Sequence, residues 1–393
     1  MKYLKRGALI LTVILVITVI YQYPKLNIIS GYAAKNMAST VFIANRTAKS
    51  VNNHDHRVPL IKLAETNLNA AEQSATSSVF GLMKRRAVFR EGLGSVLLND
   101  KNPILDKFTI PIRNTTYTST PFPYGNGAPE DTIFGRIDYP GLQKAIDNAF
   151  SEPEVQRTRT VMVLYKNRMI AEKYAQGFDR NTIILGWSMT KSILATLYGI
   201  MVSQQRIDLY SPAGWKGWES DERSNITYND LLRMQSSLEW DEDYTTISDV
   251  TRMLFMEANM GEVQAGKELL EEPGEIWNYS SGTSNLLSRM LRELEDTYQD
   301  YLNFPYKELI DRIGMNSMFL ETDMAGYFVG SSYGWASTAD WAKFGTLYLN
   351  RGNWQGEQIF EAEWIDYITT PTKNSDGAYG AHFWLNANGV YPD

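Results

Sequence analysis

Residues 186–203, GWSMTKSILATLYGIMVS, decide how this chain is to be read. After Lys191 the segment carries Ile193, Leu194, Ala195, Leu197, Tyr198, Ile200, Met201 and Val202, so that apolar side chains surround a helix of 3.6-residue period on every side. A helix of that kind belongs inside a protein, which predicts a buried helix from Ser188 to Ser203. Its first turn holds Ser188 and Lys191, three residues apart and therefore on one face. Burial and the positive end of the helix dipole both disfavour an ammonium there. The Lys191 pKa is thus expected to fall toward the range in which an amine acts as a base on the Ser188 hydroxyl. Backbone N–H groups at the same helix mouth face the place where an oxyanion would form. The bland alternative is a lysine exposed on the first turn, which leaves unexplained why it opens an all-apolar segment.

Composition narrows the chemistry further. Among 393 residues there is no cysteine, and the three histidines are His54, His56 and His382. Disulfides, thiol nucleophiles and thiolate metal sites are excluded, a rich imidazole site is not available, and no metal or organic cofactor is expected. Any nucleophile is an oxygen or a lysine. The 38 basic and 45 acidic residues give a formal charge of −7 without long single-sign runs, so nucleic acid is not an expected partner. No Gly-x-Ser-x-Gly elbow occurs, which weakens an α/β-hydrolase reading.

The N-terminus has the pattern of an exported protein. Lys2, Lys5 and Arg6 precede the apolar run Ala8–Tyr21. As a helix that run spans about 20 Å, short of the ~30 Å hydrocarbon core unless flanks such as Gly7, Tyr23 and Pro24 are counted. Gly31-Tyr32-Ala33 is the small-x-small triplet, late for a cleavage site. A retained anchor over residues 7–23 is favoured, a cleaved signal peptide and a buried core helix being the alternatives. The expected location is extracytoplasmic, in a bacterial periplasm, with the membrane as a partner through this segment.

Four parts are therefore expected: a signal peptide or anchor (1–24), an N-terminal extension of unknown role (25–113), a linker (114–131, NTTYTSTPFPYGNGAPED) and a main domain (132–393). Within the extension a helix is predicted near Val58–Glu72, and Lys84-Arg85-Arg86 reads as a solvated basic patch. In the main domain Thr160–Tyr165 and Met169–Tyr174 read as a hairpin. Capping boxes at Thr227-x-x-Asp230 and Ser337-x-x-Asp340 announce two helices.

The second chemical element is Tyr279-Ser280-Ser281, between Pro273–Asn278 and a helix predicted from about Thr283 to Glu295. Alone, Tyr279 reads as a packed aromatic. Beside a lysine, a loop tyrosine can be held partly as phenolate, take the Ser188 proton and return it to a leaving group. Trp187, Trp240 and Trp277 suggest an apolar cleft.

GWSMTKS around Ser188, TYNDLLRMQSSLEW from Thr227, PGEIWNYSSGTSNLLSRML from Pro273 and STADWAKFGTLYLNRGNWQGEQI from Ser337 together resemble the serine β-lactamase superfamily. The resemblance runs from about Ile133 to the end. It lies nearest the branch of class C β-lactamases, D-alanyl-D-alanine carboxypeptidases, related carboxylesterases and 6-aminohexanoate-dimer hydrolases. It implies an α+β fold, an antiparallel sheet flanked by helices plus an all-helical lobe. It also implies a covalent acyl-enzyme on Ser188, proton handling by Lys191 and Tyr279, and a small ester, amide or peptide as substrate. Ser281 stands where the β-lactamases have Asn, a departure that argues against efficient β-lactam turnover. Ser281 and Trp187 are expected substrate contacts, and Tyr244 on the Asp241–Tyr244 loop is either a lid residue or an exposed loop tyrosine.

The family's third motif, Lys-Thr-Gly or His-x-Gly, does not follow Tyr279. Tyr379–Trp384 resembles the strand that precedes it, with His382 structural. The sequence is thus expected to stop before the fold closes, exposing a hairpin edge and part of the Ser188 helix, and this chain to be poorly active and prone to aggregate. The rival reading is a non-catalytic penicillin-binding-like envelope protein that binds peptidoglycan or a protein partner. Oligomeric state is not legible.

Overall fold

The computed structural model describes residues 6, 22–99 and 109–386. The Ala8–Tyr21 run and Gly389–Asp393 lie outside the described residues, and with them the expected anchor or leader and the expected C-terminal break. Among the described residues no helix is long and apolar enough to cross a membrane.

The N-terminal segment folds as a helix on a sheet. The helix Lys25–Phe42 lies across four antiparallel strands, β1 (Ala64–Asn69), β2 (Ser74–Val79), β3 (Leu82–Arg90) and β4 (Gly94–Leu97), hydrogen-bonded in chain order. The helix expected over Val58–Glu72 is absent. Ile61–Leu63 is a single 3₁₀ turn and β1 follows, because Ala64, Thr66 and Leu68 alternate with Glu65, Asn67 and Asn69, the period of two that a half-buried strand requires. The basic cluster is not uniformly solvated either. From β3, Arg86 pairs with Glu72, but Arg85 turns inward to Asn27 and to the Phe255 carbonyl.

A buried carboxylate is a main anchor between this unit and the rest of the chain. Glu321 is fully buried and takes Lys35 Nζ at 2.8 Å, Ser39 Oγ at 2.8 Å, the Ser95 N–H at 2.7 Å and Trp335 Nε1 at 2.7 Å. Arg90 reaches the Thr322 carbonyl at 2.9 Å beside it. Residues 114–131 form no helix or strand, as their turn composition foretells, and run over the surface from the Arg113–Asp311 ion pair.

Beyond them, β5 (Thr160–Tyr165) and β6 (Arg168–Tyr174) form the expected hairpin. Its turn residues Lys166 and Asn167 have φ of 48° and 58°, the primed-turn geometry that matches strand twist. Strands β7 (Ile183–Leu185), β8 (Phe319–Leu320) and β9 (Gly334–Ser337) make a separate antiparallel sheet in the order β7-β9-β8. Among the described residues β5 and β6 pair only with each other.

The predicted buried helix runs from Met189 to Ser203, with Ile193, Leu194, Leu197, Tyr198, Ile200 and Met201 in the main core. The expectation that its apolar face stays partly uncovered is not met, because Phe360 and Trp364 belong to the same core and Phe383 packs against it. The approach is close enough to demand glycine at position 199. A Cβ there would lie 2.6 Å from the Trp364 ring. The helical lobe follows, including Tyr228–Leu232, Asp249–Met256, Met260–Ala265, Ser281–Glu293 and Tyr298–Pro305. The Thr227/Asp230 box is complete. At Ser337 only half of it forms: the hydroxyl accepts the Asp340 N–H, whereas the Asp340 carboxylate turns to Ser317 and Lys343. The architecture is α+β, as the sequence implies.

Candidate active site

Three elements converge on the mouth of the Met189–Ser203 helix. Strand β7 ends at Leu185, and the chain turns through Trp187, a non-glycine residue at φ 46°, to deliver Ser188 as the residue that caps the helix. Lys191 follows one turn on. The loop before the Ser281–Glu293 helix supplies Tyr279 and Ser281, and Ser280 caps that helix by accepting the Thr283 N–H at 2.9 Å. The loop after Trp240 supplies Glu242 and Tyr244.

Lys191 is the centre of the cluster. Its side chain is 1% exposed, and its Nζ lies 3.3 Å from Ser188 Oγ, 3.0 Å from Ser281 Oγ and 3.0 Å from the Ser331 carbonyl. Burial lowers its pKa from 10.5 to about 8, and the nearby Glu242 charge opposes that fall. The contrast with the other buried lysines is instructive. Lys35 sits 2.8 Å from Glu321 and Lys343 sits 3.1 Å from Asp340, each on its own carboxylate. Lys191 is held by neutral oxygens.

Tyr279 is half-buried. Its side chain adjoins Ser188, and Lys191 Nζ lies 4.9 Å from its ring centroid. The expected phenolate is disfavoured. Burial raises the Tyr279 pKa, only partly offset by the neighbouring Ser188 hydroxyl, so this group stands as a phenol and a proton donor. The ring packs on Trp384 at 5.2 Å and Tyr379 at 5.7 Å. Residues 379–384 are therefore a bend with a single Tyr379–Trp384 bridge rather than the expected strand. His382 inside that bend binds the Leu232 carbonyl and Ser284 Oγ, and burial lowers its pKa to about 4, which fits a neutral packing residue.

Glu242 was not foreseen. Its Oε1 accepts from Ser281 Oγ at 2.5 Å and from Tyr244 Oη at 2.8 Å, and its Oε2 accepts from the Ser281 N–H at 2.9 Å and from Trp240 Nε1. In sequence, Asp241-Glu242-Asp243 looks like a solvated acidic loop. The one local sign was Trp240 two residues earlier, an aromatic donor able to turn a carboxylate inward.

The predicted substrate contacts fare differently from one another. Ser281 is fully buried, and its hydroxyl accepts from Lys191 and donates to Glu242, which leaves it no proton for a ligand. Tyr244 is 53% exposed while its hydroxyl reaches Glu242 and lies 3.4 Å from Ser281 Oγ, so it bridges the cluster and solvent. Trp187 is half-buried and stacks on Tyr32 of the N-terminal helix with ring centroids 6.1 Å apart and planes 12° from parallel.

Among solved structures, a protein named as a 6-aminohexanoate-dimer hydrolase from Bacillus anthracis superposes with a TM-score of 0.51 at 18% identity, covering 62% of this chain and 67% of its own. A family VIII carboxylesterase gives 0.51 at 13% identity, over 67% of this chain and 85% of its own. At such identities the likeness is one of fold. No curated protein matches the sequence. The family model for Beta-lactamase matches residues 146–391, more than half of the chain. That span opens in the Tyr139–Ala149 helix and takes in Ser188, Lys191, Glu242 and Tyr279, so the whole cluster lies within the region that makes this chain a member of the Beta-lactamase family of hydrolases.

Proposed function

We propose that the chain hydrolyses a small ester or amide through an acyl-enzyme on Ser188. Neutral Lys191 takes the Ser188 proton as Oγ attacks the carbonyl carbon, and the oxyanion forms at the N–H groups of the helix mouth. Tyr279 gives its phenolic proton to the departing alcohol or amine as the carbonyl–heteroatom bond breaks. The Lys191 ammonium then returns the proton to Tyr279, which restores both groups. Water attacks the acyl-enzyme next, its proton passing to Lys191, and the leaving Ser188 oxygen recovers a proton.

The observation that carries this reading is the state of Lys191. A lysine buried for packing alone is expected to meet a carboxylate, as Lys35 and Lys343 do. Lys191 instead meets the Ser188 hydroxyl, with its pKa lowered to about 8. The test is labelling with a fluorophosphonate followed by mass spectrometry. Ser188 is expected to carry the adduct, and Lys191→Ala to lower ester turnover by about 10²–10⁴-fold. Labelling that persists in Ser188→Ala refutes the assignment, and an unlabelled, inactive protein favours the non-catalytic envelope reading. We further propose that the basic and apolar N-terminus, residues 1–24, directs this domain out of the cytoplasm, which cell fractionation tests.

A further inference from the structure

The N-terminal helix-and-sheet unit has no role in the chemistry above, yet it builds one wall of a large groove that opens beside the catalytic cluster. The groove holds about 470 Å³, and its lining includes Ile28, Leu60, Ile61, Phe255, Trp187 and Tyr244. That volume falls within the ~300–1,000 Å³ usual for small-molecule sites. The lining is overwhelmingly apolar, and Val58 and Leu60 stand 39% and 55% exposed at its rim. Surface of this kind is normally covered by something.

Two of its residues tie it to the reaction. Trp187 is the immediate neighbour of Ser188 in the chain, and Tyr244 is hydrogen-bonded to Glu242 within the Lys191 cluster. The groove thus borders the site through these two residues, although Ser188, Lys191 and Tyr279 do not themselves line it. Tyr279, the donor to the leaving group, packs instead against Tyr379 and Trp384, neither of which lines the groove. With Tyr279 as the proposed donor, the leaving group belongs on its side, which leaves the Trp187 side for the part of the substrate that stays on Ser188.

We propose that the groove is the acyl subsite and that the substrate is an ester or amide of an unbranched or weakly branched aliphatic acid, whose chain lies between the Lys25–Phe42 helix, the 58–61 turn and Trp187. This rests on the Ser188 acyl-enzyme reading. It assigns the N-terminal unit a function: the unit sets acyl-chain length for a catalytic apparatus it does not touch. A polar or charged acyl group would find the groove's apolar wall unable to replace its lost water.

The test is a kinetic series of p-nitrophenyl esters from acetate to decanoate on the full chain. If each added methylene is buried, kcat/KM is expected to rise by about fourfold per methylene, equivalent to about 0.8 kcal/mol, until the groove is full. Ile28→Trp, which fills the groove, is expected to cut the octanoate-to-acetate ratio of kcat/KM at least tenfold. Leu60→Asp, on the exposed turn, is expected to do the same and serves if the first variant fails to fold. Leu349→Ser, at the end of the Thr338–Leu349 helix, 62% exposed and outside the groove lining, is expected to leave the ratio unchanged.

A flat profile with acetate turned over overturns the inference while leaving the Ser188 reading intact. A rising profile that survives both Ile28→Trp and Leu60→Asp also overturns it, including the case in which these variants alter only self-association or adsorption to lipid vesicles. A preference that follows the alcohol chain of alkyl acetates instead of the acyl chain overturns the assigned side. Absence of any acetate turnover, with Ser188 unlabelled, removes both readings together.

Discussion

Replacing Lys191 by methionine separates the cost of that amine from its use. The folded-state pKa of about 8 lies below the 10.5 of an exposed lysine, so the folded protein holds the charged form less readily than the unfolded chain does. The penalty is full below pH 8, where Lys191 is charged in both states, and it disappears as pH rises toward 10.5 because the folded state has already released the proton. Each pKa unit corresponds to about 1.4 kcal/mol, which puts the full penalty at about 3 kcal/mol. Between pH 7 and pH 10 the wild-type protein therefore gains most of that, roughly 2–3 kcal/mol, from this group, and Lys191→Met gains none of it. Loss of the hydrogen bonds to Ser281 and Ser331 shifts the variant's stability by an amount that hardly depends on pH, so it cancels in the comparison. The assay is urea unfolding followed by tryptophan fluorescence, for which ten tryptophans give signal, at pH 7 and pH 10. The difference between wild type and variant should move by roughly 2–3 kcal/mol in favour of the wild type as pH rises. Parallel stabilities at the two pH values would mean that Lys191 titrates as an ordinary lysine, and its role as a base would fall with that result.

Two further outcomes follow from the charges around it. Because the Glu242 charge stabilises the Lys191 ammonium, Glu242→Gln is expected to move the acidic limb of kcat/KM downward from about 8, so that turnover at neutral pH is gained relative to the plateau; a pH–rate profile on acetate esters checks this, and a limb that stays or rises contradicts it. Lys35→Met leaves the Glu321 carboxylate buried without its cation and is expected to destabilise the protein by about 3–5 kcal/mol in urea melts, with Lys35→Met/Glu321→Gln recovering much of the loss.

The catalytic lobe was legible because its signals are local. An all-apolar segment that starts Ser-x-x-Lys fixes a buried helix with both groups on one face, and the Lys166-Asn167 turn and the Thr227 cap are likewise set by neighbours in sequence. The N-terminal unit was not legible for the opposite reason. Its helix Lys25–Phe42 buries Ser30, Lys35, Asn36, Ser39 and Thr40 along with its alanines, being enclosed on more than one side, so no apolar stripe marks it. Lys35 and Ser39 are satisfied by Glu321, nearly 300 residues later, a partner that no window of sequence can show. The 58–72 stretch misled because its apolar residues before Leu63 happen to fit a helical spacing while those after it follow the period of a strand.

The same distinction explains why Glu242 escaped notice and why it matters. The resemblance to the β-lactamases made Ser281 look like a shortened substitute for an asparagine that meets the substrate. In place, its hydroxyl accepts from Lys191 and donates to Glu242, so the hydrogen bonds run in one direction from amine to carboxylate. Serine is short enough to sit between the two groups, and the carboxylate's remaining capacity is taken by Trp240, Tyr244 and the Ser281 N–H. A carboxylate placed one hydroxyl away from the base restrains the fall in its pKa without forming a contact ion pair. Direct contact would favour the ammonium further, as opposite charges do at short range, and would leave less free amine at neutral pH. The spacing of Lys191, Ser281 and Glu242 thus balances burial against charge, and it does so with a residue whose identity only the folded arrangement explains.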